Sequence, residues 1–304
     1  MALLPITLRQ LEYLCELADT LNFNEAAQRC HVSQPTISSA IQALEQQLNV
    51  ALFERDKRRV TLTVEGEAVV EHAREAVQRA RDVVQFTRDC ADVSAGELTV
   101  GAIPTIAPFC FATMLQRSRT RFPQLQVALR EQQTQSLIDA LDRGDVDIGL
   151  LALPADVAHL QCRIVGGDPL RLVASDSHRA CTTSGTSLNE FGVEELVWLE
   201  EGHCLRDQGI AACGIQADIP EQLTVNSLLT MVQLVASGYG AALVPQLALD
   251  ANILSGLPVS LVDTVEQPSR ELAWVCRASH PKAAFLLGEF ADAMSTAVLR
   301  DAHT

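Results

Sequence analysis

Long apolar runs are missing from this 304-residue sequence. No run approaches the roughly 18 consecutive apolar residues of a helix that spans a bilayer. The N-terminal stretch MALLPITLRQLEYLCEL reaches charged residues too early for a signal peptide. We therefore expect a cytoplasmic protein without a membrane segment. With 48% hydrophobic and 20% charged residues, the chain has the composition of a globular protein with buried cores.

Metal-binding motifs are also missing. The nine cysteines form no CxxC pair, and no HExxH motif occurs, so we expect no metal site and no bound cofactor. An odd number of cysteines in a cytoplasmic chain argues against a framework of structural disulfides. Cys15, Cys30, Cys110 and Cys276 lie among apolar residues, and we interpret them as buried small side chains.

Positive charge is scarce. The chain holds 23 Lys and Arg against 38 Asp and Glu, a net charge of −15, whereas proteins that bind nucleic acid usually carry a basic surface. Only the segment RDKRR, residues 55–59, is locally basic. Any contact with DNA must therefore depend on local geometry and not on overall charge.

Short helices are predicted for the N-terminal segment. LRQLEYLCELADTL places apolar residues at a 3.6-residue period. Asn24 is expected to cap a second helix that ends near Arg29. Ser33 is expected to cap a third, with Pro35 at an early position where its missing N–H costs little. Two short helices joined by CHV predict a helix-turn-helix, and the polar start of its second helix includes Gln34, Thr36 and Ser38.

A wing and a long helix are expected next. The segment RRVTLTVEGE alternates apolar and polar residues, which predicts a β wing with a basic tip; taken alone, the pattern also fits a solvated charged hairpin. Residues 64–92 are expected to form one helix. Heptad repeats of small residues suit a close helix–helix contact, so this helix is expected to dimerise the protein. One seam consists of Val69, Ala76, Val83 and Cys90, and a second of Ala73, Ala80 and Thr87.

From residue 93 onward, predicted strands and helices alternate, which indicates an α/β domain with mainly parallel strands. The stretches LPADVAHLQCRIVGGDP and SLVDTVEQPSR look like crossings between two lobes, and ligands bind in the cleft between such lobes. The expected domains are 1–63, 64–92 and 93–304, with lobe I formed by 93–165 and 268–304 and lobe II by 166–267. Strands are predicted at 97–103, 125–130, 146–151, 170–174, 196–199, 241–244 and 271–277, and helices near 108–121, 135–143, 227–237 and 282–298.

The segments FNEAAQRCHVSQPTISSAIQALEQQLNVALFER and TVEG resemble the winged helix-turn-helix of LysR-type transcription regulators. The long helix, the opening ELTVGAIPTIAPF and the late segment VNSLLTMVQLVASGYGAALVP are similar to the same family, so the resemblance spans the whole chain. It implies a winged helix-turn-helix, a linker helix and a two-lobed, periplasmic-binding-protein-like α/β regulatory domain.

The resemblance also implies partners. The protein would be a homo-oligomer, a dimer of dimers, that binds promoter DNA and contacts RNA polymerase, and it would not be an enzyme. The family usually carries a long polar or basic residue at the position of Ser39. The residues implied to contact DNA are Ser33, Gln34, Pro35, Thr36, Ser38, Ser39, Arg55 and Arg58.

A narrower resemblance lies in the stretch EEGHCLRDQGIAAC, which is similar to the peroxide-sensing OxyR branch of that family. It implies that Cys204 reacts with hydrogen peroxide and that Cys213 resolves the product as a disulfide. The segments IPTIAP and EQQTQSL place Thr105 and Thr134 where this branch has threonines near the reactive thiol. The remaining motif residues are His203, Arg206 and Asp207.

The chemistry requires a thiolate, since only the ionised thiol attacks peroxide. Arg206 is expected to supply positive charge, and the start of a helix near Cys204 to add a partial one. His203 is expected to hydrogen-bond or titrate nearby. Asp207 opposes a thiolate and is expected to pair with Arg206 or to cap the following turn. Thr134 also fits the ordinary role of a helix cap.

The separation of the two cysteines has a mechanical consequence. If the segment were helical, its ends would lie about 13 Å apart, whereas a disulfide requires Cα atoms within roughly 7 Å. The segment must therefore rearrange before the bond closes, and Gly202, Gly209 and Gly214 would ease this change.

Two other functions fit part of the sequence. A LysR-type regulator could respond to a small organic ligand in the cleft, with Cys204 incidental; its reduced form would then answer a metabolite and ignore peroxide. A thiol peroxidase would use the same thiol, but a turnover enzyme has no need of a winged helix-turn-helix.

Overall fold

The structure is a computed structural model that describes residues 5–56, 59–89, 93–182, 185–216, 219 and 224–298. The chain divides into two compact units, Met1–Arg88 and Asp89–Thr304. The long helix expected after the wing therefore belongs almost entirely to the first unit. Within the described residues, no helix combines the length and apolar character that crossing a bilayer requires.

The first unit begins with three helices, α1 (Leu8–Thr20), α2 (Phe23–Arg29) and α3 (Gln34–Leu48). Thr7 starts α1 through a capping box with Gln10. Asn22, and not Asn24 as expected, caps α2, because its side chain accepts from the backbone N–H groups of Asn24 and Glu25. The cap lies two residues earlier, since the apolar Phe23 can occupy the first position of the helix.

Helix α3 buries its apolar face as its period predicts. Ile37, Ile41 and Leu44 are fully buried against α1 and α2. Ser33 occupies the cap position, but its hydroxyl bonds to the Thr36 hydroxyl at 2.7 Å and not to a backbone N–H. The start of α3 therefore depends on Pro35 in its first turn, where the ring preorganises the backbone.

An antiparallel hairpin and a long helix complete the unit. Strands β1 (Phe53–Asp56) and β2 (Arg59–Leu62) pair with Phe53 opposite Leu62, as a wing requires. The predicted DNA contacts of Arg55 and Arg58 fall on side chains outside the described part of the structure. The hairpin leads into α4 (Val64–Asp89).

The two predicted seams of α4 face different surroundings. Ala73 is buried in the core of its own unit, beside Val70 and Val77. Ala76 is exposed, and Val83 is 65% exposed, on the other seam. That seam presents apolar surface to a second chain, and the half-buried Ala80 of the second seam adds to this surface. Cys90 and the side chain of Thr87 lie outside the described residues.

The second unit contains a curled, seven-stranded mixed sheet in which β6 is the central feature. One half of the sheet contains β3 (Gly96–Ala102), β4 (Leu125–Glu131), β5 (Ile148–Leu153) and β11 (Ser269–Arg277). The long strand β6 (Leu160–Ser175) pairs with β11 along its first half and with β9 (Ala241–Pro245) and β10 (Val259–Leu261) along its second. A separate parallel pair is formed by β7 (Trp198–Leu199) and β8 (Thr224–Val225).

The expectation of mainly parallel strands is wrong. In the described part of the second unit, four strand pairings are antiparallel, and three are parallel. Strand β11 lies between β5 and β6 and runs opposite to both, so both of its pairings are antiparallel. The predicted strand 170–174 is only the second half of β6, because LQCRIVGGDP lacks the apolar pattern of a buried strand.

Two hydrophobic cores, one along each half of β6, support this sheet. The first core includes Val100, Leu137, Trp274 and Phe290. The second core includes Leu172, Trp198, Leu205, Met231 and Leu243. The helices of the unit are α5 (Ala107–Arg121), α6 (Thr134–Arg143), α7 (Cys204–Cys213), α8 (Leu228–Ala236), α9 (Gln246–Asp250), α10 (Ala283–Phe285) and α11 (Ala291–Val298).

Exposed and buried positions of α4 predict opposite outcomes for the same substitution. Ala76→Glu places a charge at an exposed position, so it should leave the fold intact and reduce the mass of the assembly in sedimentation. Ala80 lies on the second seam but is only half-buried, so Ala80→Glu should also reduce the mass of the assembly. Ala73→Glu is the matched control, because burying an unpaired charge costs several kcal/mol and should unfold the first unit. A folded Ala76→Glu protein with wild-type mass would exclude α4 as the contact between chains.

Candidate functional site

Cys204 is the first residue of α7, directly after His203 at the cap position. The backbone N–H of Leu205 hydrogen-bonds to the thiol and lowers its pKa, as expected at the start of a helix. The thiol lies in the first core and Cys204 is only 9% exposed. Bulky reagents therefore have little access to it.

The cation that acts on Cys204 is Arg270, a residue that sequence analysis did not single out. Arg270 lies on β11 and is the main charge that lowers the pKa of the thiol. Its guanidinium donates to Thr105 Oγ1 at 2.8 Å and to the Thr105 carbonyl at 3.2 Å. Thr105 is thus buried beside the site as predicted, and its hydroxyl accepts from Arg270.

Asp168 holds Arg270 in this position. The two residues are direct partners across the β6–β11 pairing. Arg270 Nε donates to Asp168 Oδ2 at 3.0 Å, and both side chains are essentially inaccessible to solvent. The other carboxylate oxygen of Asp168 accepts the backbone N–H of Leu247 at 2.9 Å. Fully buried charges are tolerated only when paired and hydrogen-bonded, which this arrangement satisfies.

Burial nevertheless dominates the ionisation of Cys204. Desolvation raises the pKa of the thiol, while Arg270, Thr134 and the Leu205 N–H lower it and Asp207 raises it further. Because burial outweighs the contributions that lower it, the pKa of Cys204 stays above its ordinary value and the neutral thiol is favoured. Attack on a substrate therefore requires loss of the thiol proton as the substrate binds.

Four buried polar atoms near this region have no hydrogen-bond partner among the described residues: Thr134 Oγ1, His203 Nδ1, Gln208 Oε1 and Gln132 Oε1. Unpaired buried polar atoms are costly and mark places where a ligand or water completes the bonding. Such a set can both donate and accept, because a hydroxyl does both and the amide oxygens accept.

Thr134 is the first residue of α6, and its hydroxyl does not cap the helix, whose cap position is Gln133. The hydroxyl lowers the pKa of Cys204 as a hydrogen-bond donor, although Oγ1 forms no bond of ordinary geometry among the described residues. We interpret this contact with sulfur as long and weak. The hydroxyl is then free to bond more strongly to a third molecule.

Gln208 also belongs to the site and was missed in the sequence. It lies four residues after Cys204 and thus on the same face of α7. Its Nε2 donates to the Leu153 carbonyl at 3.1 Å, which leaves the buried Oε1 as an acceptor. The signal available in the sequence was the i, i+4 spacing in CLRDQ.

Burial lowers the pKa of the neighbouring His203 side chain, so its neutral ring is favoured at pH 7.

Arg206 and Asp207 do not take the roles expected for them. Arg206 lines a small cavity against the second core, together with Trp198, Leu205, Gly209 and Met231. No ion pair between Arg206 and Asp207 occurs in the described part of the chain, and Asp207 is exposed. The activating charge comes instead from Arg270, because successive residues of a helix point in different directions.

Cys213 ends the same helix in different surroundings. It is 3% exposed and packs in the second core, whereas Cys204 packs in the first. Burial, with the Glu266 carboxylate as a smaller contribution, raises the pKa of Cys213 to about 11. Both thiols are free. A helix of this length separates its ends by about 13 Å, so α7 must unwind before the two sulfur atoms meet.

The glycines near the cysteines have distinct roles. Gly202 and Gly214 have φ of 91° and 62° and flank α7 in conformations that favour glycine. Gly209 is different, because a Cβ there would lie 3.1 Å from Trp198 Cζ3. The absence of a side chain at Gly209 lets α7 pack closely on Trp198. The structure therefore gives Gly209 a packing role and not the expected role of easing the rearrangement.

Six of the eight predicted DNA-contacting residues lie together at the start of α3. Ser33, Gln34, Pro35 and Thr36 are exposed at the start of α3, and Ser38 is half-buried. Ser39 is exposed, but its hydroxyl donates to the Pro35 carbonyl at 2.8 Å and to the Thr36 carbonyl at 3.1 Å. These bonds compete with any bond from Ser39 to a base.

Comparison with known protein families gives two matches that together span most of the chain. Residues 8–67 match the bacterial regulatory helix-turn-helix protein, lysR family. Residues 91–295 match the LysR substrate binding domain. The predicted fold class is confirmed: a winged helix-turn-helix, then a helix, then an α/β regulatory domain.

Individual relatives fall into two groups. The HTH-type transcriptional regulator EstR of Acinetobacter baylyi is 38% identical over 92% of this chain and 93% of its own length. The DNA-binding transcriptional dual regulator OxyR of Escherichia coli is 32% identical over 91% of both chains. Similar solved structures include the full-length OxyR of Pseudomonas aeruginosa with a cysteine-to-aspartate substitution, at 31% identity and a TM-score of 0.69, covering 96% of this chain and 94% of that one. A second is the H2O2-bound cysteine-to-serine mutant of Corynebacterium glutamicum OxyR, at 28% identity and a TM-score of 0.63, covering 96% and 92%.

The position of Arg270 predicts how the Cys204 thiol titrates. Removing the guanidinium in Arg270→Gln should raise the pKa of Cys204 further, so that less thiolate exists at a given pH. Asp168→Asn is added to avoid an unpaired buried carboxylate. Alkylation of Cys204 by iodoacetamide, followed across pH by peptide mass, should slow about threefold per pKa unit gained, because a tenfold loss of thiolate is partly offset by the stronger nucleophilicity of a more basic thiolate. Arg206→Gln is the control and should leave the profile unchanged; equal slowing by both would contradict the assignment.

Proposed function

Because the chain belongs to the LysR family of bacterial transcriptional regulators, and is a transcription factor and not an enzyme, we propose that it senses hydrogen peroxide through Cys204. The observation that carries this proposal is the buried Cys204 thiol at the start of α7, with Arg270 acting on it and unpaired polar atoms around it. Relatives named as hydrogen peroxide-inducible genes activators, 32% identical over 91% of this chain, support it.

The unpaired atoms fit the bonding capacity of a small peroxide. Hydrogen peroxide carries two O–H donors and two acceptor oxygens. Gln208 Oε1 can accept from it, and the Thr134 hydroxyl can donate to it or accept from it. His203 Nδ1 can accept a proton or a hydrogen bond, since its neutral ring is favoured by burial. These bonds would orient one peroxide oxygen toward the sulfur.

The proposed reaction has two balanced steps. In the first, the Cys204 sulfur attacks one peroxide oxygen, the O–O bond breaks, and the other oxygen leaves as water after taking up the thiol proton. Cys204 becomes a sulfenic acid. In the second, the Cys213 sulfur attacks the Cys204 sulfur, and the sulfenic oxygen leaves as a second water. The two thiols thereby lose two electrons to the peroxide and form a disulfide.

The structural consequence follows from the length of α7. Its two cysteines belong to different cores, so closing the bond draws residues out of at least one of them. We propose that this rearrangement changes the assembly of a homo-oligomer, a dimer of dimers joined through α4, and thereby its hold on promoter DNA. The protein would act in the cytoplasm and contact RNA polymerase at the promoter.

A second candidate function has its own support. EstR is 38% identical to this chain, whereas the OxyR of Escherichia coli is 32% identical, and the name of EstR does not refer to peroxide. Under this alternative the chain is a LysR-type regulator that responds to a small organic ligand between the two cores, and the unpaired polar atoms bind that ligand. The reduced protein would then answer a metabolite and ignore peroxide.

The two cysteines separate these functions. Cys204→Ser should ignore peroxide, since the attacking sulfur is gone. Cys213→Ser should still form the sulfenic acid, which persists and advances to sulfinic acid at higher dose. Wild type should lose two hydrogens and yield a peptide crosslink between Cys204 and Cys213. Peptide mass mapping after brief exposure to a low peroxide concentration decides between the two functions. If DNA binding changes while Cys204 remains a free thiol, the organic-ligand alternative is favoured. A disulfide from Cys204 to Cys181 or Cys162 would exclude the proposed pair.

DNA recognition should depend on the start of α3. Gln34 is exposed there, in the position from which a recognition helix reaches base edges. Gln34→Ala should remove the preference for the cognate site, with a loss of roughly 1–3 kcal/mol of discrimination. Arg55→Ala or Arg58→Ala should instead weaken binding to all sequences and lower its salt dependence. A gel-shift titration in which Gln34→Ala keeps the wild-type sequence preference would contradict this role.

A further inference from the structure

The segment that leads into β11 directs charges of opposite sign toward the two thiols. Arg270 lowers the pKa of Cys204, and Glu266, four residues earlier, raises the pKa of Cys213. One short stretch of chain thus favours ionisation of the first thiol and opposes it at the second.

The Glu266 carboxylate is fixed by two hydrogen bonds. Ser187 Oγ donates to one oxygen at 2.6 Å, and the backbone N–H of Leu188 donates to the other at 2.8 Å. These bonds lower the pKa of Glu266, so it is ionised at pH 7. Backbone bonds join the same two segments, from Thr186 N–H to the Asp263 carbonyl at 3.0 Å and from Val265 N–H to the Thr186 carbonyl at 3.1 Å.

The turn that Glu266 holds is the surface on which the Cys213 end of α7 packs. The turn, Leu188–Glu190, contacts α7 directly. Leu188 and Cys213 share the second core. At Gly214, which follows Cys213, a Cβ would lie 2.9 Å from Asn189 Oδ1. Movement of Cys213 therefore has to displace this turn or slide past it.

We propose that Glu266 is a positioning residue that delays disulfide closure, because it fixes the turn beneath Cys213 and keeps a negative charge beside that thiol. The inference rests on the proposed function. In the closing step the Cys213 thiol gives up its proton, its sulfur bonds to the Cys204 sulfur, and the sulfenic oxygen leaves with that proton as water. A nearby carboxylate opposes the loss of the proton. The sulfenic acid of Cys204 is thereby kept open to reduction or to further oxidation before the switch completes.

The effect of Glu266 on the rate of disulfide closure can be estimated from an assumed change in the pKa of Cys213. If removing the charge lowered the pKa of Cys213 by one unit, thiolate would increase about tenfold, and the weaker nucleophilicity of a less basic thiolate would offset about threefold of this. The expected gain in rate is therefore about threefold. Glu266→Gln is the suitable variant, because the amide can still accept from Leu188 N–H and donate to Ser187 while the charge is lost.

The test uses a readout that does not need peroxide. In a Cys204→Ser background, Cys213 is labelled with iodoacetamide, and the rate is followed by peptide mass. Glu266→Gln should label Cys213 about threefold faster than its parent. Glu190→Gln is the matched control: it removes a charge from the same turn, its carboxylate forms no bond to Ser187 or Leu188 among the described residues, and it should label at the parent rate. Equal rates for Glu266→Gln and its parent would overturn the inference.

A second arm separates this inference from the proposed function. With both cysteines present, Glu266→Gln should form the Cys204 sulfenic acid at the wild-type rate and close the disulfide faster. If wild type forms no sulfenic acid at Cys204, the proposed function fails, and the labelling rates still decide the role of Glu266. If Glu266→Gln lowers the melting temperature, Ser187→Ala is used instead, because it removes one of the two bonds that fix the Glu266 carboxylate. Faster labelling of Cys213 in Ser187→Ala supports the role of Glu266 in fixing the turn, and an unchanged rate overturns it.

Discussion

The buried ion pair between Arg270 and Asp168 is the interaction on which the geometry of the reduced site depends. Removing two charges from water costs several kcal/mol per ion, so the pair persists only because hydrogen bonds surround it. Those bonds reach Thr105 after β3 and Leu247 at the start of α9, so the pair joins four separate segments of the chain near the middle of β6. The cation that faces Cys204 is thus held by backbone and strand register and does not depend on a flexible surface side chain.

Helix α7 is bound to both cores at once. Its first residue belongs to the core that includes Trp274 and Leu137, and its last residue belongs to the core that includes Trp198 and Leu188. A helix has a fixed rise, so the helical state and a bond between its two ends exclude each other. Under the proposed function this gives two discrete states, since a packed core does not deform continuously. The disulfide has to offset the packing that the helix loses on unwinding.

The sequence predicted those parts of the fold that are encoded by local period. The helices α1, α3, α5, α6 and α8 follow from apolar spacing, and Ile37, Ile41 and Leu44 face inward as that spacing requires. Residues 160–169 of β6 were missed, because a strand at the edge of one half of a sheet, with two glycines, carries neither strict alternation nor an apolar run. The capping residue Asn22 was missed because Asn24 offers the same side chain two positions later.

The candidate site was only half predictable for a related reason. Cys204, Cys213, Thr105 and Thr134 stood out through resemblance and residue type. Arg270 and Asp168 are separated by 102 residues and meet only through the register of two antiparallel strands, which no local pattern records. Arg206 was chosen because it is near Cys204 in sequence. On a helix, however, a residue two positions away faces elsewhere, and Gln208 at four positions is the one that shares the face of the thiol.

Under the proposed function, the burial and raised pKa of Cys204 constrain which oxidants can react with it. A neutral thiol that is 9% exposed is protected from bulky oxidants and from exchange with other disulfides. Under the proposed function, reactivity has to come from the substrate, whose hydrogen bonds to Thr134, Gln208 and His203 would replace the missing partners of those side chains as the proton leaves the sulfur. A small peroxide could complete these bonds within the core, whereas an alkyl hydroperoxide would have to displace side chains of the first core to reach the same atoms. Burial would then supply selectivity, and the unpaired polar atoms would supply the reactivity that burial removes.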